Sequence, residues 1–313
     1  MFNSFLIALQ AVLPMFILIA IGMIVRKLGM IDKEENRRLN KMTFTVFFSA
    51  LMFNSIYRNG ISKVVDYKLV IYGIICVFAV YILTTVFVLR VEKNDRSRGA
   101  LIQAIYRSNF VIMGFPIAAN VCGDAHLAIT ALMVAVIVPI YNIIAILTLE
   151  YYGGGKSNPK NMLVKLAKNP LLDGAALGII TVLLGIKLPI VIENLLDGMS
   201  AVATPLALII LGISFEFSQI RDCGRNLIFA VAGRLIIVPA VVLSAAALIG
   251  FRGIDFVTLI AIFASPSAIA SYTMAESMNS DSVLAGNAVI VSSLLSCLTM
   301  FLWIFLFKML DVF

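Results

Sequence analysis

The chain has 313 residues, of which 61% are hydrophobic and only 13% charged, and its mean hydropathy is +1.04. A soluble domain is nearer a quarter charged, so this composition excludes a soluble globular protein and predicts an all-α, multi-pass membrane protein. The net charge of +7 calls for no nucleic acid, because membrane topology accounts for it.

Crossing a bilayer takes about twenty apolar residues, and ten such stretches follow one another. The first five are Phe5–Val25, Leu39–Ile56, Leu69–Leu89, Gly99–Val121 and Leu127–Tyr151. The first lacks a basic leader and a small-residue cleavage pattern, so it is expected to be a span and not a signal peptide. A basic, glycine-rich cytoplasmic linker follows over residues 153–169. Then come Pro170–Ile186, Ile190–Phe215, Leu227–Ile249, Phe256–Met278 and Val283–Leu306. Most Lys and Arg residues fall in the loops after spans one, three, five and seven, among them Arg26, Arg38, Arg90, Arg98, Lys160 and Arg225. Positive loops stay inside, so both termini are expected outside the cell membrane.

The halves resemble each other at an offset of 156 to 157 residues. Pro14, Gly22 and Gly29 match Pro170, Gly178 and Gly185. Asp124 and Leu127 match Asp281 and Leu284. A first repeat over 1–152 and a second over 170–313 each hold five spans, and an odd number inverts the second. Such repeats place a substrate at the midplane between two interrupted helices.

The interruptions are legible. Span four carries Arg107, Ser108, Asn109, Gly114 and Pro116. Proline removes a helix hydrogen bond, glycine loosens the turn, and broken backbone at membrane depth needs protein or a watery cavity around it. At the matching place in span nine stand Ser265, Pro266, Ser267 and Ser271. Half-helix N-termini with free N–H groups suit an anion. The alternative is a kinked structural helix whose amides tie neighbours together.

Arg107 and Arg234 are the basic residues deepest in spans. Either could pair with a substrate carboxylate, or form a structural ion pair or head-group contact. Asn142, beside Pro139, could supply a carboxylate-binding amide. Glu276 is either a proton carrier or a charge at the membrane surface, while Glu193 and Asp197 read as solvated ends. Phe115, Phe263 and Tyr272 border the same region as packing. His126 is the only histidine, and Cys76, Cys122, Cys223 and Cys297 are scattered, which argues against a His-based metal site, a triad or a cofactor. No nucleophile with a base lies at depth, so an enzyme is not expected.

Three segments resemble one family: LNKMTFTVFFSALMFNSI in span two, SNFVIMGFPIAANVCGD in span four and VPIYNIIAILTLEYY in span five. They resemble the auxin efflux carriers, which include bacterial malate and malonate permeases and the plant PIN-like carriers. The resemblance implies ten helices in an inverted repeat with helices four and nine crossing, as in bile-acid transporters and sodium/proton antiporters. It implies a carboxylate contact for Asn109, a crossing at Gly114-Phe115-Pro116 against the Pro266 region, and a homodimer as one possible state. Ser49 and Ser108 stand where relatives often have proline. The expectation is a secondary transporter of a small dicarboxylate such as malate, with Asn109, Arg107, Ser265 and Ser267 near the ligand. An auxin-like monocarboxylate, a cation antiporter and a passive anion channel are the alternatives, and sodium or proton is the coupling ion.

Overall fold

A computed structural model of the chain describes residues 2–59, 67–114, 118, 121, 127–153, 170–215 and 217–313, and every regular element among them is helical. In a bilayer a helix satisfies its own backbone, which is why apolar runs of this length take no other form. The described residues form α1 (Phe2–Lys27), α2 (Lys33–Met42), α3 (Phe48–Asn59), α4 (Tyr67–Val91), α5 (Asp95–Tyr106) and α6 (Leu127–Gly153). Then follow α7 (Pro170–Leu183), α8 (Ile190–Ser214), α9 (Phe217–Ala232), α10 (Val238–Ile249), α11 (Gly253–Phe263), α12 (Ala270–Ser277) and α13 (Ser282–Met309). Single π-helical turns at Thr43–Phe47 and Gly233–Ile237 join α2 to α3 and α9 to α10, and a third, Phe110–Gly114, follows α5.

Five stretches are long and apolar enough to cross a membrane: Tyr67–Val91, Leu132–Gly153, Ile190–Ser214, Cys223–Ile249 and Ser282–Met309. They lie on predicted spans three, five, seven, eight and ten. Helices also occupy the other predicted stretches, with span two divided by a π turn and spans four and nine each broken. Apolar side chains face outward along these helices, Leu248 being 88% exposed and Leu183 72%. This is the surface that lipid covers. The chain is a multi-pass membrane protein. Most of the predicted linker, residues 154–169, lies outside the described residues.

Charge marks the helix ends. Arg26 and Lys27 close α1, where cations suit the dipole, and Gly29 turns the chain at φ 67. Asp32 then caps α2: its side chain accepts from the Glu35 N–H at 2.8 Å, and the Glu35 carboxylate accepts from the Asp32 N–H at 2.8 Å.

The helices α1, α3, α7 and α8 pack together, and α4, α5 and α6 form a second cluster that also meets α9, α11 and α13. Backbones touch where α1 crosses α8. A Cβ on Gly22 would lie 2.1 Å from the Ile209 carbonyl oxygen, and one on Gly212 would lie 2.1 Å from that of Ile19. Small residues let membrane helices approach this closely. Gly212→Leu should therefore cost about 1–3 kcal/mol by overpacking, seen as a lower melting temperature in detergent. An unchanged melting temperature would mean that this contact is not made.

At the opposite end of α3, Arg58 bonds Glu193 at 3.0 Å and Asp197 at 2.6 Å. Asn54 donates to Asp197 and Tyr57 to Glu193. The two acids lie at a solvated helix end, as read above, and they are also ion-paired, which clasps α8 to α3. Asn54, a span amide, ties helices as such groups do.

Candidate functional site

The two broken helices meet each other. α5 stops at Tyr106, and Arg107 is extended at φ −91, ψ 123. α11 stops at Phe263, short of Pro266, which has no N–H to continue a helix. Between the breaks, Ser108 pairs with Ser267 as an isolated antiparallel bridge, and the Asn109 N–H donates to the Pro266 carbonyl at 2.7 Å. Two interrupted chains thus satisfy each other's backbone at the point of contact, as buried polar groups must.

The crossing begins upstream of the expected Gly114-Phe115-Pro116. Phe115 and Pro116 lie outside the described residues, and Gly114 closes the crossing from the other side. A Cβ there would sit 2.3 Å from the Ala261 carbonyl oxygen and 2.9 Å from Ser265 Oγ, so only glycine lets this turn lie against α11. The helix breaks early because the carbonyls at its end find donors elsewhere. The guanidinium of Arg234, fully buried, donates to Ile105 at 3.3 Å and Tyr106 at 3.0 Å on α5. It also donates to Ile262 at 3.1 Å, to Phe263, and to Ser265 at 2.8 Å at the end of α11. Arg234 itself lines neither cavity among the described residues: its guanidinium meets five backbone carbonyls, with the Tyr141 side chain beside it.

Arg107 points the other way. It donates to Gln103 Oε1 at 2.9 Å, to Met274 Sδ at 2.8 Å and to Asn142 Oδ1. Asn142 in turn donates to Met52 Sδ at 2.7 Å. Every one of these partners is neutral, and Arg107 is only 5% exposed. A charge this deeply desolvated ordinarily has a counter-ion.

Arg107, Ser108, Asn109 and Asn142 border one cavity of about 140 Å³, closed by Met52 and Thr204 from α3 and α8 and by Ala268, Ile269 and Ala270 at the start of α12. The Nδ2 of buried Asn109 has no hydrogen-bond partner. The first turn of α12 has no capping side chain. Positive charge, an idle amide donor and a helix N-terminus thus meet around one small space, a combination that suits a carboxylate.

The remaining predicted residues serve the frame. Ser265 Oγ donates to Ala261, and Ser267 Oγ donates to Ala104 at 2.7 Å while its N–H donates to Ser292 Oγ at 3.1 Å. Neither borders the cavity. Ser271 is buried beside it, its hydroxyl without a partner. Glu276 and Tyr272 border a different cavity, of about 470 Å³, with Asn36, Asn40, Arg26 and Arg37. Tyr272 there donates to Ser214 at 2.6 Å.

Sequence reading missed Gln103, Met52 and Met274. Gln103 precedes Arg107 by four residues, a spacing that on a helix continued through span four would have placed the two side chains together. The methionines carried no such signal.

The family described as membrane transport protein matches residues 7–304 of this chain. Two archaeal relatives align over nearly their whole length. One, an "uncharacterized transporter" of Methanothermobacter thermautotrophicus, is 25% identical over 297 residues, which cover 94% of this chain and 96% of its own. The other, an "uncharacterized transporter" of Methanocaldococcus jannaschii, is 26% identical over 307 residues, 95% of this chain and 98% of its own.

Proposed function

We propose that this chain, which belongs to the membrane transport protein family of the auxin efflux carriers, is a secondary transporter that moves small organic dicarboxylates such as malate by alternating access. The family is one of transport and not of enzymes. The observation that carries the substrate class is Arg107, a buried guanidinium with only neutral partners on the wall of a small cavity. An incoming carboxylate supplies the counter-charge, with the Asn109 amide as a second donor. A dicarboxylate satisfies both. The volume favours the same class, since about 140 Å³ is well under the ~300–1,000 Å³ that buries a drug-sized ligand. An aromatic monocarboxylate fits less well.

The breaks in spans four and nine, which pair Ser108 with Ser267, support ten spans in an inverted five-plus-five repeat. The cationic loops support both termini outside the cell membrane. Glu276, in its own cavity, is the group available for proton coupling. The buried hydroxyls of span nine are the oxygen donors available for sodium.

A thermal-shift screen of the purified protein against mono- and dicarboxylates, with and without sodium, tests this reading. A ligand of tens of micromolar affinity raises the melting temperature measurably at millimolar concentration. The expected result is stabilisation by one dicarboxylate. Stabilisation by sodium alone, with no carboxylate effective, would overturn it in favour of cation transport. Saturable counterflow in vesicles separates a carrier from a channel.

A further inference from the structure

Two buried arginines flank the crossing, and they face opposite ways. Arg234 borders neither cavity, yet both broken helices converge on it. A helix C-terminus carries about half a negative charge, so the ends of α5 and α11 together bring about one negative charge to a single point. The guanidinium of Arg234 brings one positive charge to that point, and its five N–H groups meet five carbonyls: Ile105, Tyr106, Ile262, Phe263 and Ser265. None of these partners is an acid. The next residues along both chains are those of the crossing itself, Arg107 to Asn109 and Pro266 to Ser267.

We propose that Arg234 is a positioning residue that sets the sign of the charge this protein carries. Its guanidinium cancels the two helix C-termini behind the crossing. The cavity in front is then left with the field of Arg107 and of the N-terminus of α12, and it accepts anions. Without that charge, an uncompensated negative end would stand directly behind the ligand. This inference rests on the anion-carrier reading above.

A background field acts on the whole charge of a ligand, so its energy scales with that charge. Removing it must weaken a dianion by the square of the factor lost by a monoanion. The probes are malate and 2-hydroxybutyrate, which differ by one carboxylate. For Arg234→Gln we expect about tenfold weaker binding of 2-hydroxybutyrate and about a hundredfold weaker binding of malate. Arg234→Lys keeps the charge and loses two donors, so it should melt lower but keep the wild-type ratio of the two affinities. Equal losses for both ligands in Arg234→Gln, or a lysine variant with the affinity ratio of the glutamine variant, would overturn the proposal and leave Arg234 a structural cap. If Arg234→Gln does not fold, the lysine variant decides alone: it keeps the charge, so a ratio of malate to 2-hydroxybutyrate affinity that departs from that of the wild type would overturn the proposal. Wild-type protein that binds neither ligand would instead remove the anion-carrier reading, and this inference with it.

Discussion

Asn109→Ala is expected to abolish carboxylate transport while leaving a folded protein in the membrane. The crossing survives because it uses the backbone of this residue: the N–H donates to Pro266 at 2.7 Å, and alanine keeps that bond. The side-chain Nδ2 has no protein partner, so its removal costs the fold little and relieves a buried, unsatisfied donor. The loss falls on the ligand. A hydrogen bond to a charged group contributes about 1.5–3 kcal/mol, which is roughly 10- to 150-fold in affinity. Asn109→Asp should do worse, since it adds a negative charge beside the carboxylate. Uptake into vesicles, normalised to inserted protein, is the measurement. Normal uptake by a well-expressed Asn109→Ala protein would sink the site assignment.

Arg107→Gln should separate the two ligand classes. Glutamine can still hydrogen-bond Gln103 and Asn142, so the packing around the site is kept and only the charge is lost. Binding of malate should weaken about a hundredfold or more, the order expected for a charge-assisted contact, and binding of 2-hydroxybutyrate by about tenfold, since the lost charge acts on a single carboxylate as well. The melting temperature of the ligand-free protein should hold or rise, because a desolvated charge with no counter-ion has been removed. Losses of equal size for both ligands would reduce Arg107 to a structural part of α5. The two arginines differ in the ligand-free protein, which should melt no lower for Arg107→Gln but lower for Arg234→Gln, where five backbone contacts are lost.

Much of this was legible along the chain. Hydropathy located the apolar stretches that helices occupy, because in a bilayer each apolar run must satisfy its own backbone, but it gave no sign of the polar helix α2 (Lys33–Met42). Pro266 marked the break in span nine, since proline cannot donate to the preceding turn. Polar residues at membrane depth marked Arg107, Ser108, Asn109 and Asn142, and these four border one cavity. Motif resemblance to the auxin efflux carriers pointed to the family that the chain belongs to.

Other readings needed the third dimension. Pro116 lies outside the described residues, and neither it nor Gly114 told that the break in span four starts at Arg107. Nothing in YRSN says that the carbonyls of Ile105 and Tyr106 will be taken by a guanidinium over a hundred residues away. Arg107 and Arg234 looked alike as arginines inside spans, and Ser265 and Ser267 looked like ligand groups. Only packing shows that Arg234 faces backbone, that Arg107 borders the cavity and that the two serines hold the crossing. Likewise Glu193 and Asp197, at a helix end, showed nothing of Arg58 across the way. The sequence by itself determined the class of protein, the apolar helices and the break at Pro266, because hydropathy and proline act within a few residues. The tertiary structure decided which buried polar group meets a ligand and which meets backbone, because that depends on partners far apart in the chain.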